Sequence, residues 1–246
     1  MQDLIFNENF VVIFLIIVFS IIQSLFGVGI LLFGTPTFLF LGFSFEEALS
    51  FTLPASLSVS FLQILTNIDL ARDKKRSIQI ITPSLILGLC ILIYIQKTEL
   101  IQFYVGLMLI LIAIIRMSKG VHEIFKGLIK KYNKVSLGII GLIHGFTNLG
   151  GGFLTFYASA KYSDKRLITT NIAFIYAIFA LIQITFLSLF SEYTLNYLSL
   201  YLMMVSGLVF IISGRFLINK IKNRDYSRII TLIIFLYGLL SLISYF

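Results

Sequence analysis

Apolar residues run along the chain in long blocks separated by short polar breaks. Blocks of spanning length cover residues 46–67, 78–95, 100–116, 168–190, 194–213 and 229–246, and about 20 apolar residues suffice for a helix to cross a bilayer. Six ordinary transmembrane helices are therefore predicted. Two further stretches, roughly 9–43 and 135–160, are equally apolar but interrupted by glycine: Gly27, Gly29 and Gly34 with Pro36 in the first, Gly145, Gly150, Gly151 and Gly152 in the second. Each can be one span with a tail, or two legs of a hairpin.

The basic residues separate those readings, because Lys and Arg concentrate in short cytoplasmic loops. If each broken stretch crosses once, the 19 Lys and Arg divide into 10 on one side and 9 on the other, which gives no orientation. If each returns to the side it entered, 18 gather on one side and only Lys97 remains opposite. The hairpin reading follows, with the basic loops in the cytoplasm and both termini outside. The two hairpins then enter from opposite faces, each followed by three spans, which makes an inverted repeat. Repeat 1 covers about 9–116, a basic linker 117–134, and repeat 2 about 135–246, all within one membrane domain. Gly29 and Gly150 stand 121 residues apart, and the Gln63 and Gln183 segments 120 apart.

Composition agrees. The chain of 246 residues is 59% hydrophobic and 12% charged, with a mean hydropathy of +1.01. A soluble domain is typically about a quarter charged, so a water-soluble fold is excluded. A single cysteine, Cys90, excludes a disulfide scaffold; it lies in an apolar run and is read as a packing residue. The net charge of +8 lies in loops, so it is an orientation signal and no nucleic-acid surface is inferred. Met1–Glu8 carries acids and no Lys or Arg, unlike the positive start of a cleaved signal.

The most specific local pattern is the run from His144 to Gly152, His-Gly-Phe-Thr-Asn-Leu-Gly-Gly-Gly. Each glycine inside a continuous helix costs about 1 kcal/mol relative to alanine. The stretch is better read as two half-length helices meeting near the midplane. Helix ends there survive only beside protein, water or ligand that satisfies their backbone groups, so the break is expected to line a cavity. The leg starting at Gly150 presents free N–H groups and a positive dipole end, the physics of an anion site. The competing reading is that the glycines serve close helix packing. The first half carries a weaker version, Gly27 to Pro36, with Ile30 and Leu31 where the second half has Gly151 and Gly152.

Candidate anion-binding residues are Gly27, Gly29, Gly34 and Thr35 in the first break, and His144, Thr147, Asn148, Gly150, Gly151 and Gly152 in the second. Gln23, the counterpart of His144, and Gln63, Gln183 and Asn171 complete the set. His144 either binds the anion or a coupled proton, or is a neutral histidine bonded to a neighbouring helix. The glutamines either bind the anion directly or hold helices together. Pro54, flanked by Thr52 and Ser56, should kink its helix.

These segments resemble the sulfite exporter TauE/SafE family, also called toluenesulfonate uptake permeases, over nearly the whole chain. Gly27 to Pro36 followed by Glu47, Ala48, Ser50 and Thr52 looks like the family's first glycine segment, and Gly145 to Gly152 followed by Thr169, Thr170 and Asn171 like its second. Ile30 and Leu31 stand where the first copy has glycines, and Asn148 where the second often has one. The resemblance implies an all-α polytopic membrane protein in a bacterial plasma membrane. It implies transport of sulfur-containing anions such as sulfite, thiosulfate or organosulfonates, with proton or sodium coupling as options and no resident cofactor or metal. An enzyme is not expected, since His122 lies in a basic loop and His144 has no nearby carboxylate; no Gly-x-x-x-x-Gly-Lys-Ser/Thr segment occurs, so ATP would have to act through a partner. The rival is a membrane structural or assembly factor that uses its glycines only for packing.

Overall fold

The computed structural model describes residues 2–95, 99–191, 193–214 and 223–243. Lys97, Arg215, Lys220 and Lys222, counted above in sorting the basic loops, lie outside the described residues. The elements are α1 (Gln2–Phe26), a π-helical turn (Ile30–Gly34) leading into α2 (Thr35–Phe40), α3 (Phe45–Thr66), a 3₁₀ turn (Ile68–Leu70), α4 (Lys74–Ile95), α5 (Glu99–Met117), α6 (Lys119–Lys131), α7 (Asn133–Thr147), α8 (Gly150–Lys161), α9 (Lys165–Phe190), α10 (Tyr197–Val209) with a π-helical extension (Phe210–Gly214), and α11 (Asn223–Ile243). Among the described residues five helical segments are long and apolar enough to cross a membrane: Glu8–Phe26, Phe45–Thr66, Lys74–Tyr94, Lys165–Phe190 and Tyr197–Gly214. The six predicted spans fall on α3, α4, α5, α9, α10 and α11, of which α5 and α11 show only the shorter apolar stretches Gly106–Met117 and Arg228–Leu240 among the described residues.

Local chemistry sets where the long helices start. Ser44 Oγ accepts from Glu47 N at 3.2 Å while Glu47 Oε2 accepts from Ser44 N at 2.8 Å, a capping box opening α3. Asp164 Oδ1 accepts from the N–H groups of Arg166 and Leu167 at the head of α9, and Asn196 Oδ1 from Ser199 N at the head of α10.

The two broken stretches differ. The second splits into α7 of 15 residues and α8 of 12, as two short legs. The first has one long leg, α1 of 25 residues, and a short return through Ile30–Phe40. Nothing between Gln2 and Phe26 interrupts helix propagation, so the chain turns only where Gly27 takes φ 75°, a left-handed conformation that favours glycine.

At the centre α3 lies against α9, with α10 packed on α3 and α4 on α9. α7 packs along α4, α1 contacts α3 and α10, and α5 pairs with α11. At the α4–α7 crossing the two backbones approach closely. A side chain at Gly88 would run into Leu142 O, one at Gly145 into Leu85 O, and one at Gly141 into Ser84 Oγ. Ser84 and Gly88 on α4 face Gly141 and Gly145 on α7, small residues at four-residue spacing on both helices. Packing is thus an observed role for Gly145, and Gly151 likewise yields its side-chain space to a neighbour, the Tyr176 hydroxyl of α9. Cys90 proves to be exposed on α4; its apolar neighbours in sequence spread around the whole helix, so the run did not reveal which face it occupies.

Gly145→Leu should overpack this crossing, a fault typically worth about 1–3 kcal/mol or more, and abolish the monodisperse folded peak in detergent gel filtration. Gly127→Ala in α6, where an added Cβ meets nothing within 4 Å, should leave the peak and melting temperature unchanged or slightly raised.

Candidate functional site

The second break is built by short polar contacts. Asn148 takes φ 59° and its N–H reaches His144 O at 2.7 Å, closing the end of α7. Asparagine tolerates this left-handed position nearly as well as glycine, which accounts for its presence beside the glycine run. Thr147 Oγ1 donates to Ile143 O at 2.7 Å and accepts from Leu149 N at 3.2 Å. α8 then starts without any side-chain cap.

Each glycine of the run meets a different neighbour. A Cβ on Gly150 would fall 2.6 Å from His144 Cβ, and one on Gly152 would fall 2.5 Å from Ile112 Cδ1 of α5. A Cβ on Gly151 would collide with the Tyr176 hydroxyl. That hydroxyl is buried and has no hydrogen-bond partner in the protein, and neither do His144 Nδ1 and Asn148 Oδ1. The His144 ring stacks on Phe179 with centroids 3.8 Å apart, and its Nε2 lies 3.2 Å from Gln183 Oε1.

The first break is closed largely from within its own half. Gln23 Oε1 accepts from Ile30 N at 3.1 Å, and Gln23 Nε2 donates to Ser56 O at 3.0 Å and lies near the hydroxyls of Ser56 and Ser60. Gln63 Nε2 donates to Ser24 O at 3.0 Å, bracing the last turns of α1. Gly29 and Gly34 are filled space: a Cβ on the former meets Phe19 O and Gln23 N at 2.5 Å, and one on the latter meets Thr52 Cγ2 at 3.1 Å. Gly27 lies against Thr169 O and Ile172 of α9.

The two breaks touch. Asn148 Nδ2 donates to Thr35 Oγ1 at 2.8 Å, and Thr35 Oγ1 lies 3.4 Å from Thr52 Oγ1. Thr35, His144, Thr147, Asn148, Gly150, Gly151, Gly152 and Gln183 therefore gather at one buried junction, with Gln23 and Gln63 behind the first break. Asn171 is elsewhere. It donates to Leu70 O at 3.0 Å and accepts from Arg72 N at 2.8 Å, near the start of α9 where Lys161 pairs with Asp73 at 2.6 Å. A cavity of about 10 Å³ there, enough for one water, is lined by Asp73, Tyr157, Lys161, Tyr162 and Asn171 among others. The pair brings the end of α8 beside the start of α4. Lys134, at the start of α7, lines a groove with Arg76, so the start of α7 and the end of α8 both lie beside the start of α4.

Tyr176 and Phe179 escaped the sequence reading, and Thr52, noted beside Pro54, was not among the candidate anion-binding residues. Tyr176 and Phe179 precede Gln183 by seven and four residues, so all three occupy one face of α9. That face was the available signal. Among the described residues no group of three His, Cys, Asp or Glu is placed to hold a metal.

A model of the sulfite exporter TauE/SafE family matches residues 12–241. The chain belongs to that family. No curated protein and no solved structure matches it. Family membership and the five long apolar helices make the chain a multi-pass membrane transporter, and the glycine segments through which it resembled the family are the two breaks that meet at Asn148 and Thr35.

Outside the spans, the hydrogen bond from Lys161 and its charge hold the Asp73 carboxyl below the usual carboxylate range, with Arg76 adding to the effect and partial burial opposing it. A carboxylate with a lowered folded-state pKa contributes stability above its unfolded value, about 3.9, and loses it as the pH falls through the lower folded value. Asp73 has φ 49°, a conformation asparagine accepts. Asp73→Asn should therefore melt below the wild type at neutral pH, by a few degrees at most for so exposed a pair, and the two curves should converge in acid. Equal melting temperatures at neutral pH would show that the pair contributes nothing.

Proposed function

We propose that the protein carries a small sulfur-containing oxyanion, such as sulfite, thiosulfate or an organosulfonate, across the membrane by alternating access, with the anion bound at the start of α8. The observation that carries this reading is the Tyr176 hydroxyl, buried without a partner over Gly151 at an uncapped helix start. A buried hydroxyl with no partner costs about 1–3 kcal/mol, and a helix N-terminus with exposed N–H groups attracts negative charge. An oxyanion at that position accepts from both. Packing alone explains Gly141 and Gly145 but leaves Tyr176 unexplained.

The two halves act as inverted repeats. Support comes from the order of elements, since a broken pair followed by three helices occurs on either side of α6. It comes also from the packing, in which α4 lies on α7 while α10 lies on α1. The junction residues Thr35, His144 and Asn148 are buried, so an anion reaches them only when the Asn148–Thr35 contact opens. The coupled proton is assigned to His144, a reading supported by its Nδ1, which has no protein partner. The basic loops face the cytoplasm and both termini lie outside.

Radiolabelled sulfite flux into proteoliposomes tests the proposal. Tyr176→Phe should raise KM roughly 10-fold to 100-fold, the range expected for a hydrogen bond to a charged group, while melting no lower than wild type because an unpaired hydroxyl is removed. Unchanged flux for sulfite, thiosulfate and sulfonates in Tyr176→Phe would contradict the proposed site. Absence of flux in the wild type, with Gly151→Leu failing to fold because its side chain meets Tyr176, would favour the assembly-factor reading.

A further inference from the structure

The basic helix α6 plays no part in the anion site, and its two faces ask for different surroundings. At 1.5 Å per residue its 13 residues span about 20 Å, and it carries Lys119, Glu123, Lys126, Lys130 and Lys131, so it is too short and too polar to cross. Val121, Ile124, Phe125, Leu128 and Ile129 share one face. One edge of that face packs on the protein: Ile129 is buried, and Phe125 meets Phe156 of α8 edge-on at 6.4 Å. The other edge is bare, with Ile124 63% and Leu128 44% exposed. On the opposite face Lys130 is exposed, and Lys126 is occupied only by a surface pair with Glu123 at 3.4 Å. Next to the end of α6, Arg76, Gln79, Ile80 and Lys134 line an open groove of about 520 Å³ between α4 and α7.

We propose that α6 and this groove form a docking surface for anionic phospholipid, with Ile124 and Leu128 in the acyl boundary and headgroup phosphates held by Lys130, Lys131, Lys134 and Arg76. An exposed apolar edge directly beside a basic face matches the boundary between hydrocarbon and an anionic headgroup layer. The opposed cations of the groove supply charge complementarity to a phosphodiester. Through Phe125 and Phe156 the bound leaflet braces α8, the helix whose first residues form the proposed anion site. The docking itself does not depend on that assignment.

The test uses the full chain in nanodiscs. In a Cys90→Ser background, a spin label at Leu128→Cys should report a lipid depth and one at Glu123→Cys an aqueous position; equal water accessibility overturns the proposal. Native mass spectrometry should show phosphatidylglycerol retained in preference to phosphatidylcholine. Each lysine removed in Lys130→Gln, Lys131→Gln and Lys134→Gln should weaken that preference about fivefold. Equal retention of both lipids by the wild type overturns the proposal, and so does full preference in the folded triple variant. The melting temperature should rise when phosphatidylglycerol replaces phosphatidylcholine; reproduction of that rise by inorganic phosphate added to phosphatidylcholine discs would mark the groove as a site for free anion and overturn the lipid assignment. Should the triple variant fail to fold, the depth labels decide.

Discussion

A helix that ends inside hydrocarbon leaves backbone N–H and C=O groups that must find partners within the protein, and the core of this structure answers that constraint. Two helices stop among buried residues, and the two stops are handled differently. At the first, Gln23 accepts from Ile30 N and ties the break to Ser56 and Ser60 on α3. At the second, Asn148 and Thr147 close the end of α7, but the start of α8 has only glycines and an unpartnered tyrosine hydroxyl over it. One break is a joint that supports itself, whereas the other is left with hydrogen-bonding capacity facing inward. That difference is why the anion is assigned to the second half even though both halves carry glycine segments.

Keeping formal charge away from the junction serves the same end. A permanent cation in the site would bind an anion without releasing it readily, whereas dipoles and hydroxyls give weaker attraction suited to turnover. The cations lie in the loops and at the helix ends. Arg116, half-buried in the last turn of α5, is the closest approach to an exception: its Nε donates to Thr231 Oγ1 at 2.7 Å and its Nη1 to Thr155 Oγ1 at 3.1 Å, so it links α5, α8 and α11. It steadies α8 three residues beyond Gly152, away from the uncapped end.

Much of this architecture was legible beforehand because bilayer thickness and loop charge act on long stretches of sequence. The spans follow from apolar run length, and Lys161, Lys165 and Arg166 marked the polar segment after α8, where Lys161 meets Asp73. The full-length first leg was not legible, since a glycine cluster marks where a chain breaks and says little about how far the preceding helix extends. Side-chain partners were harder still. His144 was singled out by its chemistry, but its stacking on Phe179 depends on how α7 crosses α9. Asn171 follows the second glycine segment in sequence yet is drawn to the Leu70 carbonyl and Arg72 N–H of the opposite half. Contacts between halves are set by tertiary packing, which local pattern does not encode.

The central claim is that uncharged backbone at the start of α8 recognises the anion. Amide NMR of glycine-labelled protein, titrated with sulfite, tests it most directly. The account predicts that the Gly150 and Gly151 amide resonances move in a saturable way while those of Gly120 and Gly127 in α6 stay fixed. Saturable sulfite binding with unmoved Gly150 and Gly151 resonances would contradict it.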